Sequence, residues 1–493
     1  MLQRLQRSND AVIATALWIA SFIVLYIRYW VPPEKIFDEI YFARAAEEYL
    51  QRRYIYENTH PPVTKLFITL STIIFGGLPG GDTSYGWRFL GVVAGATAVV
   101  LAFILARRIT HSTIFGAYAA VLFACDGMHF VQSRIATPET YVVCFSLLTV
   151  YAFCRYWDSV AESPPRALLL GTWIPSVLEG FTALALGTAF TIVRFAHETL
   201  PAKIVAALVI AAALFAVSRL VQTRPAGWPW MLAFAFSAAL LVASKWYGVM
   251  AYGVAAVVVT YVSVRAWRAG RESPFPVATV AAAVVAAVGI VYALAYIPHF
   301  IGLRDLQTLP PRPYTLSNIV DMQVNAYLYH STLKATHPYQ SVWWQWPLDW
   351  RPVLYYASYG NWGTIPTAAM IYSLANPVIL WAGLFAVPFT AWLAYTRRDR
   401  GYALIVLAYL FQWLPWIFSP RIAFAYHFYV NVPLTAICDT VAAQYLYQRF
   451  RLRWPAIVFL ALAAAQFVLY FPLYAAIPIP QWLWHRLMLP TWY

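Results

Sequence analysis

Charge is what this sequence has least of. Only 11% of its 493 residues are Asp, Glu, Lys or Arg, 61% are hydrophobic, and the mean hydropathy is +0.60. A water-soluble chain carries about a quarter charged residues, so this one cannot cover a water-facing surface and must be solvated by lipid. Lysine is scarcer still: of 34 basic residues only Lys35, Lys65, Lys203, Lys245 and Lys334 are not Arg. The net charge of +14 does not mark a nucleic-acid binder, because the arginines sit in short loops between apolar runs and form no basic domain with interleaved aromatics. Cysteine is rare as well. Cys125, Cys144, Cys154 and Cys438 all lie in apolar segments without C-x-x-C spacing, which argues against a disulfide framework or a zinc site. Internal repeats, low-complexity tracts and Asn-x-Ser/Thr sequons are missing too.

What the chain has is long apolar runs. A bilayer core takes roughly 20 apolar residues per helix, and on that measure spans are expected near 11–31, 85–106, 113–127, 139–157, 168–193, 203–221, 229–244, 246–264, 276–297, 370–395, 402–418, 424–446 and 455–476. That makes about 13 crossings, an all-α integral membrane fold, in one membrane domain over 1–493 with no separate soluble module. The first run has no small-residue cleavage site and reads as an uncleaved anchor. Runs 113–127 and 229–244 are short, and 168–193 contains Pro175 and Glu179, which suggest a broken helix or a polar cavity.

Arginine placement sets the expected orientation. With Arg4 and Arg7 inside, the even-numbered crossings return to Arg107 and Arg108, to Arg155 and Arg166, to Arg219 and Arg224, to Arg265, Arg268 and Arg271, to Arg397, Arg398 and Arg400, and to Arg449, Arg451 and Arg453. That register is the positive-inside pattern, which puts the N-terminus in the cytoplasm and the tail 477–493 outside. Two long segments, 32–84 and 298–369, then fall on the external side, and loops of that length are usually functional. Within the first, Glu39 to Arg53 carries Phe42, Ala43, Ala46, Tyr49 and Leu50 at helical spacing, as an interfacial helix would, with Glu48, Arg52 and Arg53 toward water. Residues 66–78 are apolar but too short to span, which fits a second interfacial or re-entrant piece.

The polar residues gather on the expected external side: Asp38, Glu39, His60, Arg88, Asp126, His129, Gln132, Ser133, Arg134, Glu139, Lys245, His337, Gln340, Arg421 and His427. Ionisable groups at a membrane boundary are costly unless paired or used, so a site at the outer leaflet is expected. A transporter or flippase would fit the span number equally well, but such proteins tend to show repeats and midplane polar sites.

The motifs carry a family resemblance. Phe37-Asp38-Glu39-Ile40-Tyr41-Phe42 followed by His60-Pro61-Pro62-Val63-Thr64-Lys65 resembles the first external loop of the protein O-mannosyltransferases. Phe130 to Ala136 is similar to that family's Ser-Arg segment. Lys245-Trp246, Tyr339-Gln340-Ser341 with Trp343-Trp344 and Trp346-Pro347, Asn376-Pro377-Val378, and Leu414-Pro415-Trp416 through Arg421 continue the series in order. Glu139 stands where the family usually has Asp, and the large soluble insert of eukaryotic members is absent, so the chain looks like a bacterial or archaeal plasma-membrane member.

The resemblance implies a GT-C fold and inverting transfer of mannose from a polyprenyl-phosphate-mannose donor to Ser or Thr hydroxyls of a secreted polypeptide, with no metal or other cofactor. Such a transfer needs a base for the acceptor proton and cations for the departing phosphate. Asp38, just ahead of a helix, is the expected base; its position alone fits an N-cap as well. Glu39 would orient the acceptor or pair with an arginine. Arg134, Arg421, Lys245 and Arg88 are candidates for the phosphate, with Glu139 near the donor; structural pairing of the arginines with Asp126 or Glu139, or contact with lipid headgroups, is the alternative. His60, Gln340 and Trp344 are expected on the acceptor side, although the tryptophan-rich run also suits an interfacial belt. The nearest alternative activity is transfer of another lipid-phosphate-linked sugar to a glycolipid or cell-wall polymer.

Overall fold

The computed structural model describes residues 2–163, 173–302 and 315–492; Arg166, residues 168–172 of one expected span, 303–314 of the second long segment, and the side chains of Arg4, Arg7 and Pro175 lie outside the described residues. Helix dominates. In chain order come α1 (Leu2–Tyr26), α2 (Glu39–Leu50), α3 (Val63–Ile74), α4 (Ser84–Thr110), α5 (Thr113–Ala124), α6 (Gly127–Gln132), α7 (Glu139–Ala161), α8 (Trp173–Arg194), α9 (Leu200–Thr223), α10 (Trp228–Val242), α11 (Met250–Arg268), α12 (Val277–Gly302) and α13 (Leu316–Thr332). A hairpin of β1 (Val353–Trp362) and β2 (Ile365–Ser373) follows, then α14 (Pro377–Arg397), α15 (Arg400–Trp413), α16 (Val432–Phe450), α17 (Trp454–Tyr474), a short β3 (Ile479–Pro480) and α18 (Gln481–Leu487).

Among the described residues nine helices are long and apolar enough to cross a membrane, and three shorter apolar helices are α3, α5 and α10. At about 1.5 Å per residue the 27-residue α4 is roughly 40 Å long, ample for a hydrocarbon core of about 30 Å. Most of the apolar runs are helical where they are described, so the multi-span helical fold stands. α1 ends at Tyr26, residues 425–431 of the run 424–446 form a 3-10 turn ahead of α16, and neither α7 nor α16 is apolar enough to count among the nine. The largest departure is the stretch before 377. There a span was expected from 370, but residues 365–373 form a strand, and α14 starts only at Pro377 behind Asn376, whose side chain accepts the Val378 N–H. The first-loop helix is also shorter than expected, ending at Leu50. Glu48 on it is buried and takes a 2.8 Å bond from Arg44 Nε instead of facing water. That bond satisfies its charge one helical turn away.

By its contacts the chain divides into two compact units. The first comprises 1–50, 65–147 and 332–493. In it α4 packs on α1 and α5, and α16 on α14 and α5. Its main core joins Tyr29, Val92, Phe130 and Val131 to the hairpin residues Val353, Met370 and Tyr372 and to Tyr474 and Trp492 near the end of the chain. The second unit, 51–64 and 148–331, is built on the α8–α9, α9–α12 and α10–α12 pairs.

Helix ends follow the basic loops. His111, Arg224, Arg398 and Arg451 close α4, α9, α14 and α16 in the left-handed conformation, at φ 53, 39, 52 and 57°. A cation there also meets the negative end of the helix dipole. Within each unit, hydrogen bonds between distant loops keep to one set of ends. Asp10 takes Arg107 and Thr113, and Gln444 Nε2 donates to Thr110 O, all at the arginine-rich ends. At the other ends, Val63 N–H reaches Ala243 O, His330 meets Thr59 O, and Glu198 accepts from Leu316 and Ser317. Glu179, which had no clear place in the sequence, faces Arg219 at 3.5 Å across α8 and α9.

Candidate functional site

The site grows out of the turn between α1 and α2. Phe37 adopts φ 46°, a conformation that costs an ordinary residue energy, and its ring stacks on Tyr355 at 4.2 Å. Asp38 comes next. Its carbonyl accepts the N–H groups of Tyr41 and Phe42, so it stands at the N-cap position of α2, half-buried, at the positive end of the helix.

Its neighbour Glu39 is held quite differently. Glu39 is 0% exposed and Arg88 1% exposed, and they form a two-pronged pair, Nε to Oε1 at 2.7 Å and Nη2 to Oε2 at 2.6 Å. The remaining Arg88 donors go to backbone carbonyls: Nη1 to Tyr29 and Pro32, Nη2 also to Glu34. Five N–H groups thus have five acceptors. Glu39 in turn accepts the backbone N–H of Ile36 and of Ala136. Both side chains are spent on tying the α1–α2 turn to α4 and to the segment after α6. Arg88 has no donor left for a phosphate, and Glu39 none of the freedom an acceptor-orienting group needs.

The segment after α6 is itself tightly placed. Asp126 caps α6 by accepting His129 N–H at 2.8 Å, and its other oxygen accepts Asn376 N–H at 2.7 Å. Asn376 Nδ2 donates to Cys125 O and Ala463 O, which fastens the start of α14 to α5 and α17. Gly91 and Gly95 let α4 approach Ser133, whose backbone and side chain occupy the space a Cβ would fill. This sets Arg134 in the interior, its guanidinium over the Phe130 ring at 4.1 Å. Its Nε has no hydrogen-bond partner, and none of the ion pairs among the described residues includes it. Burial first, then the charges of Arg88 and Arg28, press its pKa below the ordinary value. The position favours an anion.

The hairpin closes the other side. Gln132 Nε2 donates to Tyr355 Oη at 2.6 Å and to Ser373 Oγ at 3.3 Å, holding β1 to the end of α6. Burial, opposed by the Ser373 bond and reinforced by the charges of Glu139 and Asp38, keeps the Tyr355 phenol protonated. Tyr426 lies beside Phe37 and Tyr355, and the groups that act electrostatically on its hydroxyl are Asp38, Glu139, Tyr355 and Arg421. Two carboxylates and one guanidinium thus lie within electrostatic reach of the Tyr426 phenol, beside Tyr355, in a region of the first unit, the Asp38 pocket.

The other expected residues are distributed as follows. Gln340 is exposed and caps its own turn, accepting His337 N–H. Trp344 is 50% exposed, whereas Trp346 of the same run is buried against His427 and Trp416. Lys245 and His60 belong to the second unit. Lys245 is buried at the start of a 3-10 turn, with its ammonium 5.8 Å from the Tyr247 ring. His60 Nδ1 meets Glu57 Oε1 at 2.9 Å, the oxygen that also accepts the Thr59 hydroxyl, and its ring packs on His330. Tyr355, Tyr426 and Glu57 were missed in the sequence. The two tyrosines stand among 34 in this chain, and nothing local separates them from interfacial aromatics.

Comparisons with known proteins bear on the family and the fold. Residues 15–190 match the family model described as dolichyl-phosphate-mannose-protein mannosyltransferase. Residues 315–492 match the model described as the C-terminal four TMM region of protein-O-mannosyltransferase. A polyprenol-phosphate-mannose–protein mannosyltransferase of Mycobacterium tuberculosis (strain CDC 1551 / Oshkosh) is 25% identical, covering 93% of this chain and 86% of its own. One of the same description from Mycolicibacterium smegmatis (strain ATCC 700084 / mc(2)155) is 26% identical over 93% and 87%. In fold, the S. cerevisiae protein O-mannosyltransferase Pmt1–Pmt2 complex bound to the sugar donor superposes with a TM-score of 0.71 at 13% identity, over 98% of this chain and 93% of that one. ArnT from Cupriavidus metallidurans bound to undecaprenyl phosphate gives 0.52 at 13% identity, over 95% and 65%. With matches to both halves of one family and full-length relatives that share its description, the chain belongs to the protein O-mannosyltransferases.

Proposed function

We propose that this membrane protein transfers mannose from a polyprenyl-phosphate-mannose donor to Ser or Thr hydroxyls of secreted polypeptides, at the outer face of the membrane. The relatives' descriptions name the donor and a protein acceptor. The observation that supports the chemistry is the packing of Phe37, next to Asp38, on Tyr355 at 4.2 Å and on Tyr426 at 5.9 Å, with Glu139 and Arg421 within electrostatic reach of the Tyr426 hydroxyl.

In this reading Asp38 takes the proton of the acceptor hydroxyl as its oxygen attacks C1 of the mannose. The C1–O bond to phosphate breaks with its electron pair, and the single displacement inverts the anomeric centre. Arg421 meets the phosphate charge as it develops, in a site where water is scarce and such contacts are strong. Arg134, buried with no carboxylate partner among the described residues, is the second candidate for the phosphate. Arg88 is left out, because all its donors are used. Glu139 would bear on the donor sugar. Gln340 and Trp344 stay on the acceptor side. The arginine-capped helix ends would face the cytoplasm, with the N-terminus, and the Asp38 pocket and the C-terminus would face outward.

Purified protein in detergent, given mannosyl polyprenyl phosphate and a Ser/Thr-rich peptide, should yield a peptide heavier by one hexose, with the α or β linkage opposite to the donor's. Transfer to a glycolipid with no peptide product would favour the cell-wall alternative.

A further inference from the structure

We infer that the acceptor polypeptide docks as an added strand on the open edge of β1, next to the Asp38 pocket; the inference rests on the protein-acceptor reading given above. β2 is covered on both sides, by β1 along its length and by β3 at Thr367 and Ala368. Among the described residues β1 pairs only with β2. From Ala357 to Trp362 the strand is exposed, and among the described residues none of the backbone hydrogen bonds between elements involves it. In an antiparallel hairpin, successive residues point their N–H and C=O groups alternately to the partner and away. Trp362 and Ile365 close the two-residue turn, in which Gly363 has φ 60°, so they form the bonded pair and Ala357, Tyr359 and Asn361 turn their amides outward.

Open edges are normally blunted by Lys, Pro or other charged side chains. The run Val353 to Trp362 has none of these. At its inner end the strand reaches the turn that carries Asp38, where the Tyr355 ring stacks on Phe37 at 4.2 Å. Register breaks at a bulge between Leu354 and Tyr356, and Tyr355, just there, carries the hydroxyl that feels Asp38 and Glu139. Bulges of this kind re-aim a chain beside an active site. A polypeptide bound along the edge would run into the pocket and present a hydroxyl to Asp38. Main-chain bonds give such docking affinity without fixed side-chain demands, which suits an enzyme that modifies many Ser/Thr-rich sequences. From Tyr355 to Asn361 the edge covers roughly 20 Å at about 3.3 Å per residue, room for about six acceptor residues on one side of the target hydroxyl.

The test uses peptides, so no variant has to fold. A single-Ser acceptor peptide is compared with a series in which each backbone nitrogen is methylated in turn, and KM is measured with the full-length enzyme and mannosyl polyprenyl phosphate. Methylation at alternate positions should raise KM by about two- to tenfold per lost bond, with the intervening positions near the parent value. Truncation below about six residues on that side should raise KM in steps of two residues. A flat scan, or one without a period of two, overturns the strand proposal while leaving the enzyme's function intact. Failure to modify the unmethylated parent peptide, with a glycolipid modified instead, overturns the protein-acceptor reading itself.

Discussion

Removing the Glu39 carboxylate should break the scaffold of the site before it touches the chemistry. In Glu39→Ala, Arg88 Nε and Nη2 lose their acceptors inside the protein, and the N–H groups of Ile36 and Ala136 are orphaned. Breaking a fully buried ion pair from one side costs about 3–5 kcal/mol. Each orphaned amide adds about 1 kcal/mol or more, so the sum is about 5 kcal/mol or somewhat above. That is comparable to the whole stability of many domains, typically about 5–15 kcal/mol. Glu39→Gln keeps the volume and one acceptor oxygen and should cost about half as much. Substituting both partners, Glu39→Gln with Arg88→Met, should be less damaging than the two single changes combined, since no unpaired charge is left behind. Denaturant unfolding in detergent, followed by tryptophan fluorescence, measures all four proteins. A Glu39→Ala protein as stable as the parent but unable to transfer sugar would refute the scaffold reasoning and return Glu39 to the chemistry.

Other outcomes follow from the same geometry. Arg134→Ala and Arg421→Ala should each weaken donor binding by roughly 10- to 100-fold, the worth of a charge-assisted bond of about 1.5–3 kcal/mol; equilibrium binding of a labelled polyprenyl-phosphate sugar reads this. Gly95→Ala places a methyl where Ser133 lies. Overpacking there costs about 1–3 kcal/mol and should shift Arg134, so donor affinity and stability fall together. Glu179→Ala separates a partly exposed pair already 3.5 Å apart and should change stability by less than about 1 kcal/mol, with transfer unchanged in the peptide assay.

The helical frame was largely legible in the sequence, because lipid imposes one rule: a run of about 20 apolar residues must close its own hydrogen bonds as a helix. The same rule misled at 370–376. Ala368 to Ser373 is as apolar as a span, but it is buried by protein, and as a strand it pairs with β1 along its length and with β3 at Ala368. Charged motif residues were visible, yet their division of labour was not. Asp38 and Glu39 are adjacent in the chain, and only the fold shows that one caps a helix at a pocket while the other is locked to Arg88. Arg134 and Arg88 looked alike as cations and differ in partners, five acceptors for Arg88 against none for Arg134 Nε among the described residues. Tyr355 and Tyr426 enter the pocket through tertiary contacts, which leave no local mark.

Transfer by Asp38→Asn bears most directly on the central claim. Asparagine keeps the size and can still cap α2, but it cannot accept a proton at the acceptor oxygen. The substituted protein should bind mannosyl polyprenyl phosphate as tightly as the parent and lose at least about 100-fold in peptide mannosylation, the lower end of what a general base contributes. Undiminished turnover by Asp38→Asn, or loss of turnover explained entirely by lost donor binding, would contradict it.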